Sequence, residues 1–256
     1  MKKLLWIALL LFWACLALAY VQAASPVTLG MTGSTTPVHT YFGTATNCTD
    51  SCSQGASPVT ITPPADMVQY DLVVVYTISR SNATMAVSEA GGQTWNSETR
   101  LTNNGVYQQV HWAIFDGTWD ASPQFTASDV TNGFTVVMAV FRPGTTPYTW
   151  AVDVNEANEA FGAPSSPYDV TATQITTNTN NAVVLYLFGA SNDCTWTIQT
   201  AGWTNVGTNQ YRNIYGSDGS SSIVYKIQAT AGATGAVVNR QGDYFVTGDV
   251  YTIAFK

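Results

Sequence analysis

His39 and His111 are the only two histidines in the chain, and neither stands beside a residue that it could activate as a nucleophile. His111 lies inside "QQVHWAIF", a run that reads as a β-strand, so a strand-face position is expected for it rather than the role of a general base. No G-x-S-x-G elbow is present, and Ser-His-Asp or Cys-His catalysis has little to work with. Glycoside hydrolysis would need two carboxylates facing one cleft. Glu89 and Glu98 flank one turn, Asp116 and Asp120 flank another, and Asp153, Glu156 and Glu159 cluster. No pair alternates along one strand so as to aim both groups inward, and the expectation is a chain that is not an enzyme.

Ligand binding leaves more to consider. "DVNEANE" offers Asp153, Asn155, Glu156 and Glu159 as oxygen ligands for calcium within a short stretch that reads as flexible. It lacks the glycine and terminal glutamate of an EF-hand loop, and the competing reading is a solvated acidic loop. "YGSDGSSS" around Asp218 is a second, weaker calcium candidate, and no other cofactor is expected. Trp119 in "FDGTWDASP" and Trp150 in "TPYTWAV" fall in or near loops, where exposed rings can stack on sugars, so they are the candidate ligand contacts. Trp95 and Trp203 occupy matching places in two similar stretches and are expected to be structural.

Cysteine use bears on compartment. In "NCTDSCSQG" the spacing suggests a local Cys48–Cys52 disulfide around a tight turn. The alternative is a long-range bridge from that loop to Cys194, and the CxxxC spacing without a nearby histidine is a poor match to zinc. Two N-glycosylation patterns, Asn47-Cys48-Thr49 and Asn82-Ala83-Thr84, are also present.

The first residues look like a leader. Lys2 and Lys3 precede an apolar run from Leu4 to Ala19, and Val21-Gln22-Ala23 offers a cleavage site, which marks 1–23 as a signal peptide. The run is shorter than the ~20 residues a helix needs to span a bilayer. A lipoprotein reading at Cys15 meets bulky residues at Phe12 and Trp13. Removing 23 of 256 residues leaves 233 and takes the net charge from −7 to −9, because Lys2 and Lys3 leave with the leader. An acidic balance of this kind disfavours nucleic acid and anionic membranes as partners. The expected location is extracellular or on the cell surface.

What remains is a β composition. "QYDLVVVYTIS", "VYQQVHWAIFD", "GFTVVMAVFRP", "NAVVLYLFGA", "SSIVYKIQAT" and "DVYTIAFK" are rich in Val, Ile, Tyr and Phe and are bounded by turn residues. No window after the leader sustains helical spacing, although "VNEANEAFG" is compatible with one short turn. The chain also repeats itself. "VVVYTISRSNATMAVSEAGGQTW" matches "VVLYLFGASNDCTWTIQTAGW", Val110–Phe115 matches Ser222–Ile227, and Val137–Arg142 matches Tyr251–Lys256. Two halves are too few for a solenoid. The expected fold is all-β, a two-sheet antiparallel β-sandwich with an internal two-fold pseudo-repeat. Its organisation would be an N-terminal extension or first strand over 24–46 and a single domain over 47–256, with two tandem domains as the alternative.

The order "DLVVVYTISRS…SEAGGQTW", "VHWAIFDG", "TVVMAVFRPGTTP", "NNAVVLYLFGAS…AGWT", "IVYKIQATAGATGAV" and "YTIAFK" resembles a family of jelly-roll-like β-sandwich modules found in secreted bacterial proteins and phage structural proteins. The resemblance covers Val59 to Lys256 and implies an extracellular, non-catalytic module, with no catalytic residues to carry over. The functional expectation is cell-surface or matrix adhesion with an extracellular polysaccharide as candidate ligand. The first alternative is a filament subunit that self-associates through the stretch "PVTLGMTGSTTPVHTYFG", and the second is a carbohydrate-active enzyme.

Overall fold

The longest apolar runs become the central strands, because only a strand covered on both faces can afford an unbroken row of large apolar side chains. The computed structural model describes residues 38–256 except 104, 164 and 243–245; the side chains of 103, 156–158 and 163 also lie outside the description. The leader expected over 1–23 and the part of the extension over 24–37 lie outside the described residues. The first half comprises β1 (Thr40–Thr46), β2 (Val59–Thr60), β3 (Leu72–Ser79), β4 (Met85–Glu89), β5 (Trp95–Ser97), β6 (Leu101–Asn103), β7 (Val106–Ile114), β8 (Gln124–Ala127) and β9 (Phe134–Arg142). The second comprises β10 (Val152–Ala163), β11 (Tyr168–Ala172), β12 (Thr176–Thr177), β13 (Ala182–Ala190), β14 (Trp196–Ile198), β15 (Thr204–Asn205), β16 (Tyr211–Asn213), β17 (Gly219–Gln228), β18 (Gly232–Ala233), β19 (Val237–Gln241) and β20 (Val246–Phe255).

These strands make an all-β antiparallel sandwich. One six-stranded sheet runs β1-β9-β3-β7-β5 with β6 also on β7, and the other runs β10-β20-β13-β17-β15 with β16 also on β17. The two orders are the same, element for element. A three-stranded sheet, β2-β8-β4, packs on the outer face of the first, and β11-β19-β14 packs on the outer face of the second, beside a small β12-β18 ribbon. The shorter alternating runs "ATMAVSEA", "QFTAS" and "TWTIQT" contain β4, β8 and β14, and "AVVNR" covers most of β19. They form the outer pair of sheets, which the sequence does not separate from the central ones and which turn the expected two-sheet sandwich into four layers.

Three cores fill the three gaps. Leu72, Val74, Tyr76 and Ile78 of β3 point to the facing six-stranded sheet, where Val183, Leu185 and Leu187 of β13 meet them. Val73 and Val75 point the other way, onto Phe125 and Met85 of the outer sheet. In the second half Val184, Tyr186 and Phe188 meet Val170, Trp196 and Val237.

Register fixes how the halves correspond. Leu72 pairs with Phe141 and Val183 pairs with Phe255, so Leu72 and Val183 are equivalent. Matching "VVVY" to "VVLY" letter by letter equates Val73 with Val183 and is therefore one residue out, as is matching Val110 to Ser222. Val110 and Ile223 both enter the central core and are the equivalent pair. A one-residue slip in a strand exchanges its faces, so burial decides the alignment where letters cannot.

The edge strands correspond as well. β1 bulges between Tyr41 and Gly43, and β10 bulges between Val152 and Val154, at matching points of their partners β9 and β20. At the first bulge Phe42 lies under the Arg142 guanidinium at 4.0 Å. At the second, Asp153 lies 3.6 Å from Lys256. The stretch "VNEANEAFG" does not form a turn; it is strand within β10, paired along its length with β20. Thr40–Thr46 is the first strand of its own sheet, paired with β9.

The halves are joined across their seam. Trp112 Nε1 donates to Glu98 Oε1 at 2.9 Å, and Asn155 of the second half donates to Glu98 Oε2 at 2.7 Å. Tyr41 stacks on Tyr225 with centroids 5.0 Å apart, and Trp112 meets Phe255 edge-on at 5.5 Å. Phe255 is fully buried at this junction. Phe255→Ala is expected to lower the unfolding free energy by about 3–5 kcal/mol, measured as a shift in the urea midpoint at unchanged slope.

Candidate functional site

The second half is not a plain copy of the first at its edge. β1 stops at Thr46, where the side chain of Asn47 takes over the ladder, donating to Phe134 O at 3.1 Å and accepting from Val136 N at 2.8 Å. The chain then turns through the Cys48–Cys52 disulfide, whose Cα atoms are 5.5 Å apart. This is the pairing expected from the spacing, and Cys194 is buried with its sulfur 3.0 Å from Ser220 Oγ.

β10 instead passes a second bulge between Ala157 and Glu159 and continues, pairing Ala160 with Asp249 through Ala163 with Val246. This extension has no counterpart in β1. It lies beside β11, the edge strand of the outer sheet, and between them opens a groove of about 270 Å³. Glu159, Phe161, Tyr168, Asp169, Thr171 and Val250 line it. Phe161 is half-buried, edge-on to Trp196 at 6.3 Å, so its ring is fixed from behind.

The groove's charged groups are held in place. Arg240 grips Asp169 with two parallel bonds, Nε to Oδ1 at 2.6 Å and Nη2 to Oδ2 at 2.9 Å. The Arg240 hydrogen bond holds the Asp169 carboxyl below its usual range, so the pair stays ionised. Glu159 accepts from the backbone N–H of Thr173 at 2.6 Å and from its hydroxyl at 2.9 Å. Half-buried rings beside oriented carboxylates match what a polyhydroxylated ligand presents, apolar ring faces edged with hydroxyls.

The tryptophans expected to bind ligand do not meet. Trp150 is 2% exposed in the central core, with Nε1 donating to Tyr70 O at 2.8 Å. Trp119 is half-buried and stacks on Phe115 at 5.1 Å in the outer core. The first six-stranded sheet lies between these two cores, so the rings cannot line one surface. Loop position suggested exposure, but each ring covers the end of a core instead. Trp95 and Trp203 pack at equivalent places between a central and an outer sheet.

The calcium residues are also kept apart. They lie on a strand, and the bulge between Ala157 and Glu159 turns Glu159 to the opposite face from Asn155. Asp153 accepts from Asn178 N and Thr179 Oγ1, Asn155 binds Glu98, and Glu159 binds Thr173. The side chain of Glu156 lies outside the described residues. Among the described residues no three His, Cys, Asp or Glu side chains gather as a metal site would need.

Neither histidine is placed for proton transfer. His111 Nδ1 lies 2.8 Å from Ser97 Oγ, an arrangement like a nucleophile and its base, but Nε2 is buried without a hydrogen-bond partner, and among the described residues no carboxylate bonds to the ring. Burial pushes its pKa down to about 4. His39 is wedged between Tyr148 and Trp150 at 4.8 and 4.4 Å, and burial lowers it to about 4 as well. Comparison of the chain with protein-family models, curated proteins and solved structures finds no match.

Two buried neutral histidines make stability depend on pH with a defined sign. The unfolded chain takes up these protons near pH 6.5, whereas the folded protein resists to about 4. Their contribution is complete above about 6.5 and is lost as pH falls toward 4, on the order of 3 kcal/mol for each group. Urea unfolding at about pH 7 and about pH 4.5 should show the loss, and His111→Gln should shallow it.

Proposed function

We propose that the chain is a secreted, non-catalytic β-sandwich module of cell-surface or matrix adhesion, akin to the jelly-roll-like modules it resembles, and that the groove between β10 and β11 takes a glycan. The observation that carries this is the groove's position: it is built by the part of β10 that the repeat does not supply, and it gathers Phe161, Tyr168, Glu159 and Asp169 at one edge. The leader-like start and the disulfide support export to an oxidising compartment. The acidic balance supports a neutral rather than an anionic partner.

The second reading is a carbohydrate-active enzyme, favoured by two carboxylates in the same groove. Against it, Asp169 is held ionised by Arg240 and so cannot serve as the acid. The filament reading is weakened because Thr40–Thr46, part of the stretch that would be donated to a neighbour, already pairs with β9.

A panel of extracellular polysaccharides and oligosaccharides, read by calorimetry and by ligand mass after incubation, tests the groove. At least one glycan is expected to bind and to be recovered intact, with affinity reduced about tenfold by Tyr168→Ala and again by Asp169→Asn. Shortened glycan would favour the enzyme, and binding that survives both substitutions would remove the groove from consideration.

A further inference from the structure

The two carboxylates of the groove are not equivalent. The charge of Asp169 is met by Arg240, which holds both of its oxygens. Glu159 is held by neutral donors: the backbone N–H of Thr173 reaches Oε2, and the Thr173 hydroxyl reaches Oε1. The ion pairs among the described residues join Arg142 to Asp71, Arg212 to Asp50, Arg240 to Asp169 and Lys256 to Asp153, and none of them takes up Glu159. Among the described residues that line the groove there is no lysine, arginine or histidine. The groove therefore carries one negative charge that is oriented by hydrogen bonds and balanced by no cation.

Local geometry puts that charge beside a ring. The bulge between Ala157 and Glu159 brings Glu159 to the face of β10 that Phe161, two residues on, also occupies. Phe161 and Tyr168 are half-buried, packed from behind on the outer core, and both line the groove. A sugar stacked on either ring holds its substituents out at the edge, where a cationic one within reach of Glu159 gains a charge-assisted hydrogen bond. A carboxylate offers about four acceptor positions, and Thr173 occupies only part of them. The net charge of −7 on the chain acts in the same sense, drawing a cationic ligand in and turning an anionic one away.

We infer that the ligand of the groove is an amino-sugar glycan with free amines, one of whose ammonium groups pairs with Glu159; this rests on the glycan reading given above. An ammonium has three donors and no acceptor, the complement of a carboxylate with acceptor positions to spare. N-acetylation removes the charge and leaves a single N–H, so the same backbone in acetylated form loses this partner. A uronic acid or a sulfated sugar would set like charges together.

The test uses the full chain and oligosaccharides of glucosamine and of galactosamine, each as the free amine and fully N-acetylated, titrated by calorimetry in mildly acidic buffer at low ionic strength. At least one free-amine oligosaccharide should bind about tenfold tighter than its acetylated form. The difference should shrink as salt rises and vanish in alkaline buffer, where the amine gives up its proton. Glu159→Gln keeps an acceptor for Thr173 and should bring the two forms to equal affinity; if that variant does not fold, the alkaline titration of the unaltered chain decides. A preference that survives Glu159→Gln or alkali would overturn the inference, as would equal binding by oligolysine. Acetylated and free-amine forms bound equally, and both weakened by Tyr168→Ala, would overturn it while leaving the glycan reading in place. Binding by no glycan of the wider panel would overturn both.

Discussion

The contact between the two six-stranded sheets is the constraint on which everything else rests. Each sheet must be apolar on that face to meet the other, and apolar on its opposite face to hold an outer sheet. The result is visible in β3 and β13, where every residue is buried. At roughly 25 cal/mol per Å² of apolar surface, strands covered on both sides contribute about twice what strands of a one-sided sheet would. The outer sheets can therefore be short. They act as covers, and their own strands are free to vary in length and chemistry.

The repeat organises this plan, and its departures locate what is particular to the molecule. The bulge near the start of each edge strand is kept, and so is the cation at the end of β9 and β20, although its partner is an aromatic ring in one half and a carboxylate in the other. Arg142 also clamps the buried carboxylate of Asp71 through two bonds, fixing the end of β9 to the start of β3. The clearest divergence is the extended end of β10, which continues as strand where the first half turns through the Cys48–Cys52 loop.

The central strands were legible in the sequence because an unbroken apolar run leaves few alternatives. The repeat was legible too, but its register was not, since the letters of "VVVY" and "VVLY" match best one residue away from the true pairing, which strand register and burial reveal. The outer strands, such as Val237–Gln241, are visible as short alternating runs, but nothing in their letters says that they form sheets of their own. Trp119 and Trp150 stand out in the sequence as loop tryptophans, whereas the groove joins Phe161 of β10 to Tyr168 and Asp169 of β11 and is assembled only by folding. No surplus of residues betrays the groove: Thr46 to Leu72 and Ala157 to Val183 are the same length, and the second half spends that length on strand where the first spends it on a disulfide loop.

The loop after β1 adds a matter of timing. Gln54 exchanges hydrogen bonds with Asn213, 159 residues away, and Cys52 pairs with the backbone on either side of it. A ribosome delivers the first half long before that partner exists, and until then the inner face of β3, β7 and β9 has nothing to cover it. Such contacts are slow to form because a long loop must close first. The inner face of the first half is therefore covered only once β20 has joined the facing sheet, and the two halves complete each other late in folding.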